Sequence, residues 1–240
     1  NHKALGADIS VATIPVAQRE APEFGILKSE GGLITSFIEK PKKEVLGDWV
    51  SDTGEEMQQN GRIYLASMGI YIFNRQLLFD LLKTEFKDAT DFGKEIIPQS
   101  ISKYKVASYQ YSGYWTDIGN IYSFFEANLD LTKDIPDFNM FDNDRTIYTR
   151  PRMLPPAKIS GTTLEKTLIA EGSIINASRV EHSVIGIRSR VGHGSTIVST
   201  YIMGSDFYET LDDIAGDTAK GIPLLGVGDR CYIKNAILDK

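Results

Sequence analysis

The strongest constraint in this chain is a period that belongs neither to a helix nor to a strand. Leu168, Ile174 and Val180 stand six apart, and after a slip of one residue Ile185, Val191, Ile197 and Met203 stand six apart again. Val227 and Ile233 resume the spacing, while small or polar residues such as Ala170, Gly172, Ala177, Ser178, Gly192, Gly194 and Ser195 fill the intervals. One inward aliphatic every six residues is the signature of a parallel β-helix, in which each repeat forms one short side of a triangular coil and covers its neighbour. Residues 204–225 break the pattern with Asp, Gly and Thr and are expected to leave the coil as a loop. The repeat is still running at Lys240, and an open coil end exposes apolar edge, so a partner or further chain is expected there.

Ahead of the repeat the periods are ordinary ones. Ile9, Val11 and the run to Val16 read as a strand, and Phe24 to Lys28 and Ile34 to Glu39 as two more, joined at Gly31-Gly32, where glycine supplies the positive φ of a hairpin turn. Residues 42–62 lack any period and read as a mobile excursion. The nearly continuous apolar run Ala66 to Phe73 predicts a strand covered on both faces. Asn74 is a candidate N-cap for a helix carrying Leu77, Leu78, Leu81 and Leu82, and Asp91 for a second carrying Phe92, Ile96 and Ile97, with Pro98 near its end. A strand over Val106 to Tyr111 and a helix over Ile121 to Leu131 complete an α/β sheet fragment. Between 133 and 158, Pro136, Pro151, Pro155 and Pro156 accompany Arg145, Arg150, Arg152 and Lys158, which predicts a stiff connector. The expected division is therefore 1–132, a connector 133–158 and a coil 159–240.

Composition removes several function classes. With 240 residues and 42% apolar content the chain can bury a proper core. Lys and Arg number 26 against 32 Asp and Glu, without a basic run, which argues against nucleic acid as a partner. Cys231 stands alone and only His2, His182 and His193 accompany it, so neither an internal disulfide nor a Cys/His zinc site is expected. No apolar run approaches the roughly 20 residues of a membrane span, and the start Asn1-His2-Lys3 is not a signal peptide, so no membrane partner and a cytoplasmic address are expected. A first residue other than Met points to a piece of a longer protein.

Tyr114-Trp115-Thr116-Asp117-Ile118-Gly119 sits where the Val106 strand hands over to the Ile121 helix. In an open α/β sheet that handover lies on the ligand side, and a carboxylate there can face a metal and a phosphate; Asp117 is the candidate. An ordinary strand-to-helix turn accounts for an Asp and a Gly equally well.

Phe24-Gly25, Phe37-Ile38-Glu39-Lys40-Pro41, Ala66-Ser67-Met68-Gly69-Ile70-Tyr71, Asp91-Phe92-Gly93, Tyr114 to Gly119 and Leu154-Pro155-Pro156-Ala157-Lys158, in this order and with a trailing hexapeptide coil, resemble the glucose-1-phosphate adenylyltransferases. The resemblance implies a partial nucleotidyltransferase, Rossmann-like sheet followed by a left-handed parallel β-helix of hexapeptide repeats. It further implies transfer of the adenylyl group of ATP to glucose 1-phosphate, giving ADP-glucose and pyrophosphate, with Mg2+, in a homotetramer controlled by a small anionic or phosphorylated effector. Carried to this sequence, Lys40 takes the sugar phosphate and Glu39 a sugar hydroxyl. Gly25 admits the sugar to the backbone, and Ser67, Tyr71, Asp91, Phe92 and Trp115 line the glucosyl site. Asp117 is the magnesium ligand and catalytic residue, and Arg150 and Arg152 meet the effector anion. An ammonium at a strand end is a compact point charge for phosphate, and a carboxylate accepts from hydroxyls, which agrees with the first two roles. Ser67 and Tyr71, four apart on one strand, share a face. Each residue also has a plain alternative: Glu39 and Lys40 as a solvated pair, Asp91 as a cap, Tyr71 and the other aromatics as core, the arginines as connector anchors.

The family's glycine-rich phosphate loop and a second metal-binding Asp have no counterpart in these residues. The full protein is therefore expected to be the enzyme and this stretch alone to be inactive. Rival readings are another sugar-1-phosphate nucleotidyltransferase, a non-catalytic regulatory subunit, and a coil-type acyltransferase using His182 or His193 as base.

Overall fold

Five strands, β1 (Ile9–Val16), β2 (Gly25–Glu30), β3 (Leu33–Glu39), β4 (Tyr64–Phe73) and β5 (Val106–Gln110), frame the unit Asn1–Trp115 in the computed structural model, which describes residues 2–239. They hydrogen-bond in the order β1–β4–β2–β3–β5, and β5 returns to β1, so the sheet curls closed. Only β1 and β5 run parallel; the other pairings are antiparallel. The expected hairpin is present, with Gly31 and Gly32 at φ +57° and +82° between β2 and β3.

Alternation along the strands sorts side chains into two cores. Leu27, Leu65, Ile9 and Val11 join one with Leu81, Ile96 and Ile97, while their neighbours Ile26 and Ala66 join the other with Ile14, Val16 and Tyr64. The pairing of β1 with β4 slips between Val11 and Thr13, where Gly69 takes φ +70°. Beyond that bulge the expectation of a strand covered on both faces fails. Tyr71 and Phe73 pack on the first core, but Ile70 and Ile72 are 53% and 55% exposed, lining an open cleft of about 740 Å³ with Met68, Tyr109 and Tyr111.

Residues 42–62 are ordered rather than loose. A 3-10 turn at Lys43–Trp49 and a short helix α1 (Glu55–Gln59) carry Leu46, fully buried, into the second core beside Trp49. The hydroxyl of Ser51 donates to the Leu27 carbonyl at 3.1 Å, tying the segment to β2. A single leucine buried by distant residues leaves no local period, which is why the segment reads as unstructured.

Helix α2 (Arg75–Asp80) widens into the turn Leu81–Glu85. Asn74 precedes it without capping it, since its side-chain amide donates to the Ala7 carbonyl at 3.3 Å instead. Asp91 does cap: its Oδ1 accepts from the Lys94 amide at 2.9 Å and opens the wide turn Phe92–Ile96, which runs into α3 (Ile97–Ser100). Pro98 lies at the second residue of α3, two residues before its end at Ser100.

The second unit is Thr116–Lys240. Its first element, α4 (Ile121–Asp130), is capped by Asn120 and meets the coil through Phe124, edge-on to Tyr201 at 5.3 Å. The connector is regular only at Asn143–Arg145. In the coil, β6 (Lys158–Ile159), β8 (Ile174–Ile175) and β10 (Arg190–Val191) stack as one parallel sheet. A second parallel sheet stacks β7 (Thr163–Ile169), β9 (Arg179–Ile185), β11 (Thr196–Ile202) and β12 (Tyr232–Leu238). Each long strand has a left-handed residue at its middle, Lys166, His182, Ser199 or Asn235, with φ between 44° and 52°. That bend turns one strand into two sides of the coil.

The same corners shift the repeat. Ile175, Val180, Ile185, Val191, Ile197 and Ile202 form the buried stack, with Ile169 and Val227 packed against it. Leu168 and Ile174 therefore give way to their successors as inward residues, and Met203 to its predecessor; Met203 is 40% exposed. Buried hydroxyls close the corners: Ser183 donates to the Glu181 carbonyl at 2.7 Å, Thr200 to Val198 at 2.8 Å and Ser189 to Gly186 at 2.9 Å. Residues 204–225 leave the coil as expected, but they carry a helix, α5 (Leu211–Lys220), with a capping box between Thr210 and Asp213. Among the described residues no helix is long and apolar enough to cross a membrane.

Candidate functional site

The end of β3 builds one side of the site. Glu39 pairs with Gly25 across the hairpin, and Lys40 then turns to φ 45° while its amide donates to the Phe24 carbonyl at 3.0 Å, so the strand stops there. A Cβ on Gly25 would lie 2.4 Å from the Phe37 ring and 2.7 Å from Oε2 of Glu39. Glycine at this position leaves room for the Phe37 ring first and for the Glu39 carboxylate second, beside the reason given by its expected contact with a sugar.

The turn that starts at Asp91 builds the other side. Oε1 of Glu95 accepts from the amides of Thr90 and Asp91 at 2.9 and 3.0 Å, which locks the turn's entry. Phe92 stacks on Tyr71 of β4 and meets Phe73 edge-on at 5.7 Å. Lys94 brings its Nζ to 3.9 Å from Oδ2 of Asp91.

These groups share one electrostatic neighbourhood. Burial raises the Glu39 carboxyl above its ordinary value and the Asp91 charge raises it further, while Lys40 and then Lys94 pull it down. Burial also raises the Tyr71 phenol; a hydrogen bond with Ser67 opposes this, and the charges of Glu39 and Asp91 add to it. Two carboxylates, two ammonium groups and an aromatic wall thus meet at one place. Carboxylates accept from hydroxyls, ammonium groups attract phosphate, and an aromatic face packs against a sugar's C–H bonds.

Of the residues singled out in the sequence, Gly25, Glu39, Lys40, Tyr71, Asp91 and Phe92 come together, and Ser67, buried beneath, joins them through Tyr71. Trp115 is placed differently: it meets Phe24 edge-on at 5.6 Å in the second core and lines the cleft beside Met68. Asp117, Arg150 and Arg152 belong to the other unit. Asp117 is exposed, with its carboxylate folded back so that a Cβ on Gly119 would lie 3.0 Å from Oδ2. Both arginines are exposed, and Nη1 of Arg152 donates to the Arg150 carbonyl at 3.4 Å. In the coil, Nδ1 of His182 lies 3.3 Å from the Ser199 hydroxyl, and the His193 amide donates to Asp229 at 2.7 Å.

Sequence reasoning missed Phe73, Gly93 and Lys94. Lys94 stands three residues after a candidate cap, a spacing that returns a side chain toward the capping carboxylate and was available as a signal. Gly93 is marked only by its place in Asp91-Phe92-Gly93, and Phe73 carries no comparable local mark.

Comparison with known proteins agrees with this architecture. A family model described as "Nucleotidyl transferase" matches residues 1–134, and one described as "GLGC left-handed parallel beta-helix domain" matches 152–240. The chain is 41% identical over 246 aligned residues to the glucose-1-phosphate adenylyltransferase small subunit, chloroplastic/amyloplastic, of Triticum aestivum. That alignment takes in 100% of this chain and 52% of the relative, so the chain spans about half the relative's length. The sheet unit, the left-handed coil after it and these matches lead to one conclusion: the chain belongs to the nucleotidyl transferase family, with a GLGC-type β-helix domain following the transferase part.

Proposed function

We propose that this chain is part of an enzyme that transfers the adenylyl group of ATP to glucose 1-phosphate, and that its own share of the work is to hold the sugar phosphate. The observation that carries the reading is that the Glu39 and Asp91 carboxylates both border Gly93, with Lys40 next to the one and Lys94 paired to the other, on the turn whose Phe92 stacks on Tyr71. Glu39 and Asp91 accept from glucosyl hydroxyls, Lys40 takes the phosphate, and the aromatic pair covers one face of the ring. The reaction is attack by a phosphate oxygen of glucose 1-phosphate on the α-phosphorus of ATP, which breaks the bond to the β-phosphate and releases pyrophosphate. Lys40 keeps the attacking phosphate in place, and alignment of this kind lowers the barrier without a covalent enzyme intermediate.

Magnesium would supply charge compensation on the phosphates. Its preferred donor set is one or two carboxylates completed by phosphate oxygens and water, and the exposed Asp117 fits the carboxylate part. Among the described residues no group of three or more His, Cys, Asp and Glu gathers to hold a metal by itself, so substrate oxygens would have to complete the shell. Arg150 and Arg152 we assign to a small anionic effector, and assembly to copies of the same chain. The single Cys231 suits a reducing compartment, either the cytoplasm or a plastid interior like that in the relative's name.

The test is turnover of the longer protein with ATP and a panel of sugar 1-phosphates, alongside the isolated 240 residues. The reading expects ADP-glucose from the longer protein with glucose 1-phosphate preferred, and none from the isolated chain. Equal use of several sugar phosphates, or robust turnover by the isolated chain, overturns it.

A further inference from the structure

Gly93 has no backbone reason to be glycine. It lies in the helical turn Phe92–Ile96 and is not among the residues with positive φ, so alanine there would be the better helix former. What the position lacks is room. A Cβ on Gly93 would lie 3.1 Å from Oε2 of Glu39, 3.6 Å from its Cδ and 3.4 Å from Oδ1 of Asp91, in the space between the two carboxylates. On the hairpin side the same oxygen is confined by Gly25, whose own Cβ would lie 2.7 Å from it. Oε2 of Glu39 therefore lies against two glycines from separate elements, and a Cβ at either would make the carboxylate shift.

We propose that Gly93 is a positioning residue for Glu39: its missing side chain lets the Glu39 carboxylate stand beside Asp91 at the spacing that sets which sugar hydroxyls the pair accepts. This rests on the reading of the site as a sugar-phosphate site. The groups facing Glu39 are Asp91 and Lys94 from the turn, Lys40 from the strand end and Tyr71 from β4. A methyl group at 93 changes none of these charges, only the geometry among them. Its effect on ligand should accordingly pass mainly through Glu39, because 3.4 Å from Asp91 is ordinary contact and 3.1 Å from Glu39 is not.

The experiment uses the 240-residue chain in four forms: wild type, Gly93→Ala, Glu39→Gln and the double variant. The Glu39 side-chain carboxyl is titrated by carbon NMR without ligand, and glucose 1-phosphate affinity is measured by calorimetry. Gly93→Ala is expected to move the Glu39 titration midpoint and to weaken glucose 1-phosphate by roughly tenfold, the scale of one misaligned charge-assisted hydrogen bond. In the Glu39→Gln background the same change is expected to weaken it no further, whereas a merely structural glycine would matter in both. An unmoved Glu39 midpoint overturns the proposal whatever the ligand does, and so does an equal loss in both backgrounds. A moved midpoint in a wild-type chain that does not take glucose 1-phosphate keeps the geometric role and rejects the sugar-phosphate reading instead. Should Gly93→Ala fail to fold, it is combined with Glu39→Asp, whose shorter side chain withdraws the carboxylate from position 93; the combined variant is expected to fold, and its failure to do so overturns the proposal.

Discussion

The rings of Tyr71 and Phe92 stack at a centroid separation of 5.9 Å and an interplanar angle of 25°, which joins β4 to the turn that carries Asp91. Phe73 meets Phe92 edge-on, so one aromatic side chain is held by two from the strand. Phe92→Ala should remove both contacts and cost about 1–2 kcal/mol, less than a fully buried ring because Phe92 keeps one face to solvent. Urea unfolding of the variant measures the cost. Calorimetry should show weaker glucose 1-phosphate in step, since the turn that places Asp91 is loosened.

Glu39 is held at some expense to the fold. Its carboxyl is raised above the ordinary glutamate value, first by burial and then by Asp91, so the folded chain binds that proton more tightly than the unfolded chain. Its contribution to stability is therefore fully present below the unfolded value and falls away as pH rises through the raised one. Glu39→Gln should flatten that part of the pH profile and be at least as stable as wild type at neutral pH, while binding glucose 1-phosphate measurably more weakly. Thermal melts from pH 4 to 8 check the sign.

The register of the coil separates two adjacent residues. Ile202 is buried in the stack and Met203 points outward. Ile202→Ala should cost about 3 kcal/mol through lost burial and cavity, and Met203→Ala under about 1 kcal/mol. A larger loss for Met203 would restore the simple six-residue frame.

Leu46 makes the corresponding test in the sheet unit. It is fully buried although it lies in a stretch without any period. Leu46→Ala should cost about 2–5 kcal/mol, whereas a mobile segment would tolerate it.

The coil and the hairpin were legible because their signals are local. Gly31-Gly32 forces its turn wherever it occurs, and the aliphatic spacing reveals a coil even though the left-handed corners at Lys166, His182 and Ser199 displace the frame by a residue. The packing of Leu46 and the exposure of Ile70 and Ile72 were not legible, because each depends on what a distant segment covers. At the site, Asp91 could be read as a cap, and it is one, but its meeting with Glu39 follows from the packing of the Phe92–Ile96 turn against β3 rather than from spacing. Glu39, Lys40 and Gly93 stand out only through resemblance to a family, and the contact that explains Gly93 depends on a carboxylate brought from another element.

A sugar phosphate held between the Lys40 ammonium and the Glu39–Asp91 pair, as proposed above, must bind less tightly once the ammonium is removed. Calorimetric titration of the 240-residue chain with glucose 1-phosphate, compared between wild type and Lys40→Gln, tests it most directly. The account predicts saturable uptake by the wild type and a loss of roughly tenfold or more in the variant, as for a charge-assisted contact to phosphate. Equal affinity in the two, with both folded, would contradict it.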